Sequence, residues 1–255
     1  MARLVFRWNR AFVFKYLEMM RNMIISIGKT SFEMVYIKGG NFLMKEYLKK
    51  IGYQAKNTSI RWKLSLGDFW LGKYVVTQEL WNVVMGNNTS TIQQQRDYPV
   101  VNISWNDCIQ FIDKIQSKTG LKLCLPTLSQ WMYAACGGVL SSNYKYSGGN
   151  NLSNVGWYSR NSGGSVHPVG QKRANELGLY DMSGNVWEWN KTVNEDFDSK
   201  TKANFLEECY FLCGGDYSSS ADSCKTFYYI NDEADRKTDR YGFRLALLND
   251  DMRNK

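Results

Sequence analysis

The sequence predicts an α+β domain with few helices, short strands and much irregular structure. Three observations predict it. Apolar strand-like runs joined by glycine turns occupy the first third of the chain. Three helices with N-cap chemistry follow. Then comes a long stretch rich in Gly, Ser, Asn, Tyr and Trp that carries no regular period. The chain has 255 residues, with 44% hydrophobic and 15% aromatic content including nine tryptophans. That is enough to bury a core, and the composition is globular rather than disordered.

"SFEMVYIKGGNFLM" (31–44) reads as a strand, a Gly-Gly turn and a second strand, and "SIRWKLSLGDFWLGKYVVTQ" (59–78) as two strands around Gly67-Asp68. Thr77 precedes a short helix, "QELWNVVM". Ser104 precedes "WNDCIQFIDKIQSKTG", with Asp107 in the capping-box position and Gly120 as the stop. There Trp105, Cys108, Phe111, Ile112 and Ile115 recur at helical spacing, a core stripe. Thr127 precedes "LSQWMYAAC", with Gln130 three residues on. From about residue 137 to 190 helix signals vanish, and the tryptophans imply packed irregular structure rather than a linker. No repeat and no composition break divides the chain. The reading is an N-terminal extension over 1–30, one domain over 31–248 and a tail over 249–255.

The net charge of +8 is local. Residues 1–63 carry 13 Lys or Arg and 3 Asp or Glu, and the remainder carries 19 and 21. The main domain is close to neutral, so nucleic acid is not an expected partner. The longest apolar-rich run near the start, "NMIISIG", is far short of a membrane span. Lys15, Glu18 and Arg21 interrupt any signal-peptide core, and no small-residue cleavage site follows. An amphipathic helix and an extension from an upstream start codon both fit this segment. The compartment stays unassigned: cytoplasmic by default, with surface display or secretion open.

The six cysteines at 108, 124, 136, 209, 213 and 224 form no C-x-x-C pair, and the chain has one histidine, His167, so zinc is not expected. Cys108, Cys124 and Cys136 lie among apolar residues as buried thiols. Disulfides among Cys209, Cys213 and Cys224 stay open, because spacing does not decide them.

The blocks "FEMVYIKGGNFLM", "FWLGKYVVTQELWNVVMGNN", "YPVVNISWNDCIQFIDKI", "LCLPTLSQWMYAA", "HPVGQKRANELGLYDMSGNVWEW" and "GG…GFRLAL" resemble the formylglycine-generating enzyme, or sulfatase-modifying factor, family, in the family's order over about residues 32–247. The resemblance implies that family's variant of the C-type lectin fold, with few helices and short antiparallel strands. The fold hosts several roles. One branch oxidises a sulfatase cysteine to formylglycine with copper held by two cysteines. A second uses iron held by histidines, which a chain with His167 alone does not supply. A third is non-catalytic and includes the variable proteins of diversity-generating retroelements.

In the copper branch "GGS" is followed three residues later by one cysteine and five further on by another. The resemblance places Asp216 at the Ser, Ser219 at the first Cys and Cys224 at the second. Cu(I) favours paired soft thiolates, and a serine hydroxyl does not replace one, so copper is not expected. "CLPTLSQWMYAAC" and "WEWNKTVNED" also depart from the family pattern, at Leu128, Gln130 and Cys136 among others. In "DMSGNVWEW" the resemblance implies a structural calcium ion held by the side chains of Asp181 and Glu188 and the carbonyls of Gly184 and Val186.

The last motif is a polar run. Asp216, Tyr217, Ser218, Ser219 and Ser220 are followed by Asp222 and Ser223, then by Thr226, Phe227, Tyr228 and Tyr229, then by Asn231 and Asp232. From Ser218 onward, most of these belong to the set reached when the adenines of an Asn codon are randomised, the pattern of retroelement variable proteins. Tyrosines among small polar groups make a paratope-like mixture. The expected function is therefore non-catalytic binding of a protein or glycan through about 216–232. The alternative is an oxidoreductase acting through Cys224, with Trp187 and Trp189 lining the groove. A structural or accessory domain is a third option.

Overall fold

The computed structural model describes residues 22–43, 63–87, 95–191 and 210–248. The tail over 249–255, Cys209 and most of the N-terminal extension lie outside them. The first strand, β1 (Met23–Ile27), precedes the boundary expected at residue 31. It pairs antiparallel with β2 (Thr30–Ile37) across a two-residue connection, Ile27 facing Thr30. Its inward residues Ile25 and Ile27 alternate with exposed ones, so five residues suffice to add a half-buried strand to the sheet.

The strands expected from the glycine runs are present, but their partners are not sequence neighbours. β3 (Gly40–Leu43) pairs with β4 (Lys63–Leu66), whereas β5 (Phe69–Gly72) pairs with β2. Neither the Gly39-Gly40 step nor the Gly67-Asp68 step closes a hairpin. At Gly39 a side chain would collide with the Leu66 carbonyl, so only glycine lets the two crossings pass this closely. Asp68 secures the corner, accepting from Gly39 N at 2.9 Å and from the Tyr36 hydroxyl.

Three helices form where their caps predict. α1 (Gln78–Met85) starts at Thr77, whose side chain accepts from Leu80 N, and ends at Gly86 in the left-handed region. α2 (Trp105–Thr119) has a full capping box: Ser104 accepts from Asp107 N at 3.2 Å, and Asp107 Oδ2 accepts from Ser104 N at 2.9 Å. α3 (Leu128–Ala135) repeats the arrangement with Thr127 and Gln130.

Among the described residues the main sheet has the order β1-β2-β5-β11-β6, with β6 at Leu123–Cys124 and β11 at Ala246–Leu248. Helices α1 and α2 pack near it through Leu80, Trp81, Cys108, Phe111 and Ile115. Trp81 stacks on Phe111 at 5.3 Å between ring centroids, and Phe243 meets both rings edge-on. A second apolar cluster joins Val35, Ile37 and Leu71 to α3 through Leu128, Trp131 and Met132.

The second sheet has the order β10-β7-β8-β9: β7 (Trp187–Trp189), β8 (Tyr210–Cys213), β9 (Tyr229–Asp232) and β10 (Tyr241–Phe243). Its pairs are antiparallel except β7 with β10, which run parallel. Between the sheets, residues 137–186 carry one turn of helix, α4 (Leu152–Val155), and a 3₁₀ turn at Gly138–Leu140. Without long ladders, the backbone there takes its partners from isolated turn bonds and from side chains. Asn175 accepts from Leu177 N and Leu179 N and donates to the Ala134 carbonyl and Ser147 Oγ. Asn185 and His167 exchange two bonds, and the His167 ring stacks on Trp157 at 3.8 Å, making it a packing residue. Lys172 Nζ lies 3.7 Å from the centroid of the same Trp157 ring.

At the junction of these parts sit two fully buried opposite charges. Glu188 of β7 accepts from Arg244 Nε and Nη2 and from Trp131 Nε1, each at 2.6 Å. Arg244 also donates to the Gly72 and Tyr180 carbonyls at 2.8 and 2.9 Å. Removing one member leaves the other buried and uncompensated. Glu188→Gln and Arg244→Met should each lower stability by about 3–5 kcal/mol in urea unfolding, with the double variant losing less than their sum. Additive losses below about 1 kcal/mol each would show that the pair does not hold the junction.

Candidate functional site

The polar run begins where β8 ends. Gly214 and Gly215 both take positive φ, 97° and 74°, which turns the chain back under the sheet. Asp216 follows and is driven inward. It is 1% exposed, its Oδ1 accepts from Ser218 N and Oγ at 2.6 and 2.8 Å, and its N donates to Ser219 Oγ at 3.0 Å. Tyr217 is buried as well: its N donates to the Asn185 carbonyl at 3.0 Å and its hydroxyl to Asp239 Oδ2 at 2.9 Å.

A 3₁₀ turn over Ala221–Cys224 comes next, capped by Ser220, whose side chain accepts from Ser223 N. It points Cys224 into a pocket of Leu152, Val155 and Tyr158 with no exposed surface. Burial, and then the charge of Asp216, push the Cys224 thiol up to about 12. A buried thiol held neutral is a weak nucleophile. Cys213 is buried as well, and no disulfide joins it to Cys224. Trp189 is wholly buried, its Nε1 donating to the Ile103 carbonyl, so it lines the core rather than a groove.

The run therefore divides. Asp216, Tyr217 and Thr226 are buried, and Phe227 and Tyr229 are half-buried against the second apolar cluster, Tyr229 edge-on to Phe211 at 5.4 Å. Ser218, Ser220, Asp222, Tyr228 and Asn231 are exposed, with Ser219, Ser223 and Asp232 half-exposed among them. Asp222 pairs with Lys225 at 2.6 Å. Tyr228, 38% exposed, sits beside nearly buried Trp187 with ring centroids 6.1 Å apart. The inward residues were chosen on composition, which does not reveal which side of a loop turns down. Two residues outside the run join the site: Asp239, through Tyr217, and Arg240, whose Nη1 lies 3.9 Å from Asp216 Oδ2. Their signal was the adjacent opposite charges just before the apolar strand β10.

The expected calcium donors are largely engaged by other groups. Both oxygens of Glu188 are engaged by Arg244, and one also by Trp131. The Gly184 carbonyl accepts from Val186 N. Asp181 Oδ2 accepts from Gly170 N at 2.8 Å, leaving only Oδ1 without a bond among the described residues. A divalent ion would have to displace a buried guanidinium, so these residues do not fit calcium as arranged. Burial pushes the Asp181 carboxyl up to about 6. A separate groove of about 270 Å³, lined by Ile24, Phe32, Tyr74 and Leu80, shares no residue with the polar face.

With the geometry in place, comparison with known proteins becomes informative. The model of the sulfatase-modifying factor enzyme 1-like domain matches residues 26–248. The chaperone protein LppX of Paenibacillus barcinonensis is 34% identical over 207 residues, covering 62% of this chain and 70% of that protein. The inactive C-alpha-formylglycine-generating enzyme 2 of Bos taurus is 29% identical, covering 62% of this chain and 52% of that protein. Variable protein 1 of Treponema denticola has a similar structure, with a TM-score of 0.75 at 27% identity, covering 89% of this chain and 99% of that one. The formylglycine-generating enzyme of Streptomyces coelicolor is 34% identical over 39% of this chain, which spans 34% of that enzyme.

Two outcomes follow from the buried groups. Cys224 should resist iodoacetamide at pH 8 in the native protein and react after unfolding, as read by intact mass; rapid native labelling would overturn its assignment as a packing residue. Asp181 binds its proton more tightly folded than unfolded, so the stability it contributes is greatest below about pH 4 and declines as pH rises through about 6. Asp181→Asn, with chelator present, should therefore raise stability at pH 8 by up to about 3 kcal/mol, and the gain should vanish toward pH 4.

Proposed function

The chain belongs to the sulfatase-modifying factor enzyme 1-like family, and within it we propose a non-catalytic ligand-binding protein that presents the exposed part of residues 218–232 to a protein or glycan. The observation that carries this is the division of the polar run. Its one thiol is sealed in an apolar pocket, while its small polar side chains and Tyr228 stand outward on a fixed frame. Ser219, at the position where the copper branch carries a thiolate, instead accepts from Asp216 N. Cu(I) would meet no paired sulfurs there.

Likeness to a variable protein supports a diversified face, and likeness to an inactive family member supports binding without oxidation. Small polar groups adapt their hydrogen bonds, while an aromatic side chain supplies contact area at low entropic cost. The retroelement form of this reading requires a reverse transcriptase gene nearby and an adenine-rich near-copy of the DNA encoding residues 212–247.

The reading is tested on peptide and glycan arrays with the intact chain. Ligands retained by the wild type should be lost, by about tenfold or more in affinity, when Ser218, Tyr228 and Asn231 are changed together to Ala. Reduced protein should show no tight stoichiometric Cu(I) binding. Tight Cu(I) binding abolished by Cys224→Ser would return the protein to the oxidoreductases, and array signals unaffected by the triple variant would remove this face from the function.

A further inference from the structure

Beneath the exposed face lies a carboxylate oxygen with no hydrogen bond. Asp216 is 1% exposed, and its Oδ2 receives no hydrogen bond from any described residue. Leaving a buried acceptor unsatisfied is costly, and more so when it is charged. The cation that faces it does not repair this. Arg240 Nη1 stands 3.9 Å from Asp216 Oδ2 and its Nε stands 3.9 Å from Asp239 Oδ1, both beyond hydrogen-bond reach. Its side chain is 45% exposed, so it can leave for water at little cost.

The surroundings are suited to positive charge. The hydroxyls of Tyr217 and Tyr241 donate to Asp239 and Asp232 at 2.9 and 2.8 Å, and fix both carboxylates. Burial, then the carboxylate each phenol binds, pushes both phenols up to about 12, so they stay protonated donors. Arg240 and Arg236 are the cations acting on these phenols. Among the described residues, Arg240 is the cation that pairs with Asp216 and Asp239, so its departure leaves both carboxylates without that partner. At the same end of the sheet, Trp187 N donates to the Arg240 carbonyl, and Tyr228 beside it offers a partly open aromatic face.

We propose that this is a subsite for an arginine or lysine side chain of a protein ligand, with Asp216 as the buried counter-ion and Arg240 as the resident side chain that yields the place. The proposal rests on the ligand-binding reading of this face and gives it a chemical class. A guanidinium in the place of Arg240 can reach the Asp216 and Asp239 oxygens that Arg240 holds only at distance. A neutral sugar hydroxyl leaves the carboxylate charge uncompensated, and an anion is repelled.

The test is titration calorimetry of the full chain with acetyl-arginine amide, acetyl-lysine amide, acetyl-glutamate amide and a neutral disaccharide. The two cationic probes should bind with dissociation constants of about millimolar, and the other two should not. Arg240→Ala should tighten cationic binding about threefold or more by removing the competitor, and Asp216→Asn should weaken it about tenfold. Should Asp216→Asn misfold by near-ultraviolet circular dichroism, Asp239→Asn, on a half-exposed side chain, should weaken binding about threefold. Failure of the cationic probes to bind either wild type or Arg240→Ala overturns the proposal, and so does an Arg240→Ala protein that binds them more weakly. Disaccharide binding without cationic binding makes the subsite a glycan site and overturns it too. If array ligands are found while the cationic probes fail, the subsite alone is wrong; if neither appears, the binding reading falls with it.

Discussion

The rest of the structure depends on the buried pair of Glu188 and Arg244. One charge comes from the short strand "WEW", the other from the apolar run "GFRLAL". Taking two charges out of water is costly, and attraction alone does not reliably offset it. What makes the arrangement tenable is that bonds surround both groups. Glu188 accepts from Trp131 as well as from Arg244, and Arg244 spends its remaining donors on the carbonyls of Gly72 and Tyr180. Those partners belong to α3, β5 and the irregular stretch before β7. A pair of packed apolar side chains could match the stability, but it would leave two carbonyls without donors. It would also remove one of the bonds that tie the irregular stretch to the sheet, the one at the Tyr180 carbonyl. The tryptophans flanking Glu188 are sealed by this geometry, which is why Trp189 belongs to the core.

Local chemistry made the helices legible. The Ser104–Asp107 and Thr127–Gln130 boxes and the glycine stop at Gly120 act within a few residues, so sequence alone reveals them. The strands were visible for the same reason, through their apolar runs and glycine breaks. Their pairing was not, because β2 chooses β5 over β3 by long-range burial that no turn residue encodes. Met23–Ile27 was missed as a strand because its alternation follows a segment crowded with large apolar residues. In the polar run, the outward exposure of Ser218, Asp222 and Tyr228 agreed with composition, while the burial of Asp216, Tyr217 and Thr226 did not. Polar residues turn inward only when partners await them, and those of Tyr217, namely Asn185 and Asp239, are distant in sequence. One signal was available and unused: a lone Glu in "WEW" and a lone Arg in "GFRLAL" each sit in an apolar strand, and two buried opposite charges must meet.

The way the loop is anchored decides what can vary on it. Four tethers of the segment after β8 are backbone to backbone: Gly184 N to the Gly214 carbonyl, Tyr217 N to Asn185, Ser159 N to Ser219 and Thr226 N to Lys145. Such bonds are indifferent to side-chain identity, so outward residues can change without releasing the loop. Inward residues have no such freedom. At Gly215 a side chain would come within 2.7 Å of Cys224 Sγ, so glycine there and the buried thiol fit each other. Ser219 stands between the two groups: its carbonyl is a tether, while its hydroxyl serves Asp216 N. A cysteine at that position would therefore exchange the hydroxyl that accepts from the Asp216 backbone N for a weaker sulfur acceptor. The interior thus holds the face in place through Ser219, Gly215 and Cys224, and a change at any of them reaches the support on which the face stands.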